Sequence, residues 1–241
     1  MREGGAAREP ARAWSDRDSA LWHTCEIAAD LAAGAVPQPR LDIATPFPPR
    51  FAADERFWAA GPFDLLALRA PEGAPPRGAP RFFLATGAGG LAATAAVALA
   101  RAAGDARRRA EEERRAAPRW VRVDAGALAV SGCGMYWHTP AALLTWDWGS
   151  VTSAEVLEPG AVHLTGEGPA GPGSWILRSD WAELVFVTWA LQRHPRHPQL
   201  RSGGWLPPGW LSWCATQPYP TRLASAALPP AGTRQVGGHP H

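Results

Sequence analysis

Ser174-Trp175-Ile176-Leu177-Arg178-Ser179-Asp180-Trp181-Ala182-Glu183-Leu184-Val185-Phe186-Val187-Thr188-Trp189-Ala190-Leu191 decides the reading of this chain. A short strand pattern ending at Arg178 runs directly into Trp181 to Leu191, which is apolar on nearly every face. A helix that hydrophobic must be covered, and the cover at hand is a sheet made by the preceding residues. Asp180, preceded by Ser179, supplies an acidic capping arrangement with Glu183, and His194-Pro195 ends the helix. Working back from Arg178, short strand patterns are predicted at Trp120–Asp124, Leu128–Ser131, Gly134–His138, Leu143–Trp148, Thr152–Leu157, Val162–Thr165 and Ser174–Arg178. Gly or Pro punctuates most junctions, as an antiparallel meander requires.

Further upstream, Ser15 followed by Asp18 resembles a capping box, and Gly34 is a stop signal. Between them Leu21, Thr24, Cys25, Ala28 and Leu31 recur at helical spacing, which predicts one amphipathic helix at about 16–33. Residues 1–14 read as loose, and 35–50 as a Pro-rich extended connector. Arg56 to Ala60 and Phe63 to Leu68 read as strands around a Gly61-Pro62 turn, with a third from Arg81 to Thr86 beyond a Pro/Gly loop. Leu91 to Arg115, rich in Ala, Arg and Glu, reads as one long helix. At the other end, Trp205-Leu206-Pro207-Pro208-Gly209-Trp210-Leu211 is too Pro-rich for regular structure and too aromatic to float free. It is expected to pack back on the body, with disorder from about Ala226 to His241.

The chain has 241 residues with a formal charge of +2, enough for one domain or at most two. Leu, Ile, Val and Phe together fall just short of the ~20% share below which disorder threatens, and 13 Trp residues make up the deficit. Nine of them lie between Trp120 and Trp210, which places the packed part there. All 24 basic residues are Arg, the mark of a GC-rich genome, so an Arg run is weak evidence of function. The near-neutral balance announces no nucleic-acid partner. Cys25, Cys133 and Cys214 are odd in number and far apart, which argues against a disulfide framework or zinc knuckle and for a reducing cytosol. The first twenty residues carry Glu3, Glu9, Asp16 and Asp18 without an apolar core and do not read as a signal peptide.

Trp120 to His194, seven or so short strands and then one apolar helix with Trp189 at its centre, resembles the pleckstrin-homology-like architecture, with Glu55 to Thr86 as candidate opening strands. The resemblance implies a bent antiparallel β-barrel or sandwich capped by a C-terminal helix. The chain is then α+β, with an N-terminal helix and a helical insert at 88–117. Residues 1–50 form the N-terminal helical extension and connector, 51–193 the β-domain, and 194–241 the Trp/Pro-rich wrap and tail. The Gly61-Pro62 region lacks the basic cluster of phosphoinositide-binding members, so a lipid ligand is not implied. The phrases Gly61-Pro62-Phe63, Ala85-Thr86-Gly87, Pro118-Arg119-Trp120 and Gly203-Gly204-Trp205-Leu206-Pro207-Pro208-Gly209 also resemble a group of uncharacterised actinobacterial proteins, over roughly residues 55–213. That likeness imports no activity.

Phe82-Phe83-Leu84-Ala85-Thr86 followed by Gly87-x-Gly89-x-x-Ala92 has the strand, GxGxxA, helix order of a dinucleotide site. The acid required about 20 residues on is missing, since position 107 falls within Arg107-Arg108-Arg109, and a flexible turn before an Ala-rich helix is the better reading. Phe82 to Ala100 is uncharged but mostly Ala, Gly and Thr, marginal for lipid and better suited to close helix packing. His194 and His197 lack further ligands beside them, and His138 and His163 sit on separate predicted strands. Trp146-Asp147-Trp148 puts both indoles on one strand face, forming with Trp137 and Trp175 a Trp-lined layer that reads as packing before it reads as an aromatic cage. There is no GxSxG, no Cys/His pairing and no paired carboxylate crevice, so no catalytic residue, cofactor or metal is assigned.

The reading is therefore a non-enzymatic protein- or peptide-binding module in the cytoplasm, with Trp205, Leu206, Trp210 and Leu211 as candidate partner contacts. The alternative is attachment to the inner face of the plasma membrane through residues 82–115, with Arg107, Arg108, Arg109, Arg114 and Arg115 meeting an anionic surface. A small-molecule enzyme without a recognisable motif is the third.

Overall fold

The computed structural model describes residues 12–38, 51–69, 117–168 and 171–227. The chain forms two units, one of 1–66 with 122–241 and one of 67–121. The second contributes only 67–69 and 117–121 to the described residues. The expected strand at Arg81–Thr86, the helix at Leu91–Arg115 and the tail beyond Ala227 lie outside them.

Helix α1 spans Asp16–Ala32. It starts where the sequence says it should: Ser15 Oγ accepts from the Asp18 N–H, Asp18 Oδ2 accepts from the Ser15 N–H, and both halves of the capping box are made. Gly34, at φ +70°, stops it. Seven strands follow: β1 (Phe57–Arg69), β2 (Arg119–Ser131), β3 (Gly134–His138), β4 (Leu143–Asp147), β5 (Val151–Glu158), β6 (Ala161–Gly168) and β7 (Gly171–Arg178). Helix α2 (Ala182–Arg193) comes next, then three short helices, α3 (Pro198–Ser202), α4 (Trp210–Cys214) and α5 (Arg222–Ala227).

The strands form one antiparallel sheet in the order β4-β3-β2-β1-β7-β6-β5. Its two edges, β4 and β5, are joined only by Trp148, Gly149 and Ser150. Such a link reaches at most about 15 Å at ~3.8 Å per Cα step, whereas the edges of a flat seven-stranded sheet lie roughly 29 Å apart. The sheet must therefore curl until β4 and β5 come close at this link, although they do not pair with each other. Aromatic contacts across the curl bear this out: Trp146 on β4 lies edge-on to Trp175 on β7 at 4.9 Å between ring centroids. Gly166 on β6 has no Cβ, and one placed there would stand 2.8 Å from the Trp146 ring. Asp147 shapes the link, accepting from the Gly149 and Ser150 N–H groups and the Ser150 hydroxyl.

Three hydrogen bonds tie α2 across the curled sheet. Trp181 Nε1 donates to Ala60 O on β1 at 3.0 Å, Trp189 Nε1 to Val151 O on β5 at 2.9 Å, and Gln192 Nε2 to Gly132 O in the β2–β3 turn at 2.9 Å. Every residue from Ala182 to Ala190 is buried. The sheet is not the sole cover that the sequence suggested, because α1 packs along another flank of α2. An all-apolar helix needs partners on more than one side, and α1 brings Leu21, Cys25 and Ala28 to the same core.

Gly61-Pro62 does not turn the chain, and β1 runs straight through it. A Cβ at Gly61 would come within 2.9 Å of the Trp181 indole nitrogen, and the Pro62 carbonyl accepts from Ser179 Oγ at 2.8 Å. The dipeptide marks a close packing site within a strand. Trp120–Asp124 and Leu128–Ser131 are likewise one strand, β2, with Gly126 pressed against β3: a Cβ there would lie 1.8 Å from the His138 carbonyl oxygen. Helix α2 has no acidic cap, since its N-cap is Trp181 with no side-chain bond, and Glu183 turns inward. In the Trp205–Leu211 stretch, residues 205–209 are irregular as expected, but Trp210 and Leu211 open α4, preceded by Gly209 at φ +75°; upstream Pro198 opens α3 and Gly203 at φ +70° closes it.

Candidate functional site

The tail packs back on the body as expected. Trp205, Leu206 and Trp210 are buried and Leu211 is half-buried. These four candidate contacts separate into two roles. Trp210 lies in the core with its indole N–H on Asp18 Oδ1, fastening α4 to the start of α1. Trp205, Leu206 and Leu211 instead line a groove of about 580 Å³, whose other wall is Val156, Leu157, Glu158 and Pro159 at the end of β5.

That wall is the open edge of the sheet, since β5 is last in the strand order. An edge strand presents unpaired N–H and C=O groups that invite another strand. Here one side chain occupies the edge: Gln199 on α3 accepts from the Val156 N–H through Oε1 at 2.9 Å and donates to the Val156 carbonyl through Nε2 at 2.7 Å. The primary amide reproduces the two-point pairing of a neighbouring strand residue. Beside it Leu157 is 51% exposed on the groove. Nothing in the sequence pointed to Gln199, because an amide in a five-residue helix carries no motif.

A second cleft, about 530 Å³, is lined by Trp14, Ser19, Trp22, His23, Gln217, Pro218 and Tyr219. No sequence signal marks this cleft, since the exposure of Trp14 and Tyr219 depends on how the tail returns to α1.

The other candidate residues fall elsewhere. Arg107, Arg108, Arg109, Arg114 and Arg115, together with the GxGxxA turn and the uncharged run to Ala100, lie outside the described residues. His194 lies tilted against Trp189, with 4.6 Å between centroids, and His197 meets Phe186 edge-on at 5.2 Å. His163 shares a hydrogen bond of 2.7 Å with Ser174 across β6 and β7. Among the described residues no three His, Cys, Asp or Glu side chains converge as a metal site, and no helix is long and apolar enough to cross a membrane. The Trp layer is filled: Phe63, Trp137, Trp146 and Trp175 contact one another inside the curl at centroid distances of 4.9 to 6.3 Å.

Buried carboxylates hold the helical side together, Glu183 and Asp18 among them. Glu183 on α2 accepts from Arg17 of α1 and, at 2.9 Å, from the Gly160 N–H in the β5–β6 turn. Burial pushes its carboxyl above the ordinary value, against the pull of Arg17 and of that N–H. For Asp18 burial alone would act upward, yet the Ser15 hydroxyl, the Trp210 indole, the Ser15 N–H and the Arg12 charge together bring it below the ordinary value. A third carboxylate, Glu55, accepts from Ser131 Oγ and from Tyr136 OH at 2.6 Å on the outer face of β2 and β3. It anchors the approach to β1 and faces neither cleft.

Compared with known proteins, the chain matches no family model, no curated protein and no solved structure.

Proposed function

We propose that the chain is a non-enzymatic binding module of pleckstrin-homology-like fold, and that the groove beside β5 takes an extended peptide. The fold part of this reading is supported by the strand order, the three-residue link that closes the curl, and the apolar helix bonded to β1, β5 and the β2–β3 turn. The functional part rests on one observation, the paired hydrogen bonds of Gln199 with Val156 at a sheet edge. A side chain that imitates a strand is a removable partner, and an incoming peptide replaces its bonds with main-chain bonds of the same kind. The adjoining Leu157, Trp205, Leu206 and Leu211 then receive alternate side chains of the peptide. This keeps the partner contacts suggested by the sequence, apart from Trp210, and a cytoplasmic location belongs to the same reading.

Selection from a displayed library of random twelve-residue peptides on the full chain tests it. Leu157→Glu places a charge on the exposed wall without touching the core. Enriched peptides that bind the native chain and fail on Leu157→Glu support the groove. Peptides that bind both equally, or a selection that enriches none, rule it out.

A further inference from the structure

Granted that the groove beside β5 takes an extended peptide, on which this rests, we propose that the peptide is acidic and that its carboxylates meet Arg193, Arg196 and Arg201. Charge is unevenly spread along the chain. All 22 acidic residues lie at or before Glu183, while Leu184 to His241 holds five Arg, four His and no Asp or Glu. A GC-rich genome accounts for Arg in place of Lys, but it does nothing to exclude acids that the earlier residues carry freely. That stretch supplies most of α2 and all of α3, α4 and α5. Of its arginines Arg222 is paired, with Glu26 and Asp30 on α1. Arg193, Arg196 and Arg201 are exposed, and none of them pairs with an acid among the described residues.

Their place in the fold joins them to the groove. Arg193 ends α2, Arg196 stands in the link to α3, and Arg201 belongs to α3. The chain carrying the first two is tethered to the edge strand at both ends, by Trp189 on the Val151 carbonyl and by Gln199 on Val156. Arg201 follows Gln199 by two residues, and the next two, Ser202 and Gly203, line the groove. On β5 itself stand two acids. Glu158 is already paired with Arg178 at 2.9 Å, which leaves Glu155 against three arginines, so the local balance stays positive. Charges beside an apolar groove choose partners by sign, because opposite charges hasten encounter and like charges refuse it. A peptide added to β5 turns alternate side chains to opposite faces. One set fills the apolar wall of Leu157, Trp205 and Leu206, and the other is left for the arginines. Each exposed pair contributes little alone, so the preference is shared among three and weakens as salt screens it.

Two synthetic twelve-residue peptides, Val alternating with Glu in one and with Gln in the other, serve as probes on the full chain at roughly 50 mM and roughly 500 mM salt. The Glu peptide is expected to bind about tenfold tighter than the Gln peptide at the lower salt, and the advantage is expected to shrink at the higher. A triple variant, Arg193→Gln with Arg196→Gln and Arg201→Gln, is expected to lose that advantage at an unchanged melting temperature and to bind the Gln peptide as the native chain does. Leu157→Glu is expected to abolish binding of the neutral Gln peptide, which checks the groove separately. A Gln peptide that binds, fails on Leu157→Glu and gains nothing from Glu keeps the groove and overturns the acidic partner. A Gln peptide indifferent to Leu157→Glu, or failure of both peptides to bind, overturns the groove and the acidic partner together. Pelleting with phosphatidylserine vesicles that the triple variant loses, without any preference for Glu among the peptides, would assign the three arginines to a membrane and overturn the proposal as well.

Discussion

Trp210 donates its indole N–H to Asp18 Oδ1 at 2.8 Å, joining residues 192 positions apart. The acceptor is a carboxylate already capping its own helix, so one side chain both starts α1 and receives the tail. Trp210→Phe keeps most of the ring and removes the N–H. A hydrogen bond to a charged group is worth about 1.5–3 kcal/mol, and a loss of that order is expected in denaturant unfolding. An unchanged midpoint would show that the bond contributes nothing net.

The buried carboxylates of Asp18 and Glu183 act on stability with opposite sign in pH. Asp18 is held below its ordinary value of 3.8, so the stability it contributes is present above that value and lost as the pH falls through the depressed one. Glu183 is held above its ordinary value of 4.5, so the fold favours its protonated form. That contribution is complete below 4.5 and is lost as the pH rises through the raised value. Unfolding midpoints between pH 3 and 8 should therefore show a loss at the acid end that Asp18→Asn removes. They should also show a decline above the ordinary glutamate range that Glu183→Gln removes.

Trp189 is buried in α2 and bonded to β5. Trp189→Ala opens a cavity and leaves the Val151 carbonyl without its donor, and about 3–5 kcal/mol of destabilisation is expected. Denaturant melts of the two chains measure it. A midpoint within error of the native one would mean that α2 is not the helix holding the sheet.

Gly126 admits no side chain where β2 crosses close to β3. Gly126→Ala forces a backbone shift, because the obstacle is a main-chain oxygen, and a cost of about 3 kcal/mol or more is expected. Loss of hydrogen-exchange protection at Ala127–Val130 and Met135–His138, the residues paired across the two strands, is the local signature.

Gln199→Ala bares the edge at Val156. The two hydrogen bonds to Val156 go, for about 1–3 kcal/mol together, along with a long one to the Gly204 carbonyl, and the open edge gains a tendency to pair with a second copy. Light scattering at rising concentration should detect self-association in Gln199→Ala before it appears in the native chain. Equal behaviour of the two would mean that the amide does not shield the strand.

What was legible in the sequence follows from the range of each signal. The box of Ser15 and Asp18, the stop at Gly34, the β3 strand and the apolar run of α2 are local patterns, and they fall where periodicity and capping place them. By local rules Gly61 and the gap between Trp120–Asp124 and Leu128–Ser131, which holds Gly126, mark breaks, because glycine usually does. In the folded chain each makes room for a partner remote in sequence, Trp181 or His138, which no local rule can see. Glu183 misled for a related reason: its position suits a cap, but burial against α1 gives it a stronger partner in Arg17. Among the candidate contacts, Trp205, Leu206 and Leu211 were legible as a sticky tail. The role of Gln199 was not, since it depends on which strand happens to be last in the sheet.

The clasp of α1 by the tail has a consequence for the order of events in synthesis. Arg222 grips α1 through Glu26 and Asp30, with bonds of 2.7 to 2.8 Å to side chains and to the Glu26 carbonyl. As the ribosome releases the chain, α1 emerges while its clasp is still nearly 200 residues away. At ~5–20 residues per second that wait lasts about ten seconds or more, during which Leu21, Cys25 and Ile27 have neither α2 nor α5 to rest on. The nascent chain thus carries an amphipathic helix with its apolar face uncovered while nearly 200 further residues are made, a natural substrate for whatever chaperone stands at the exit.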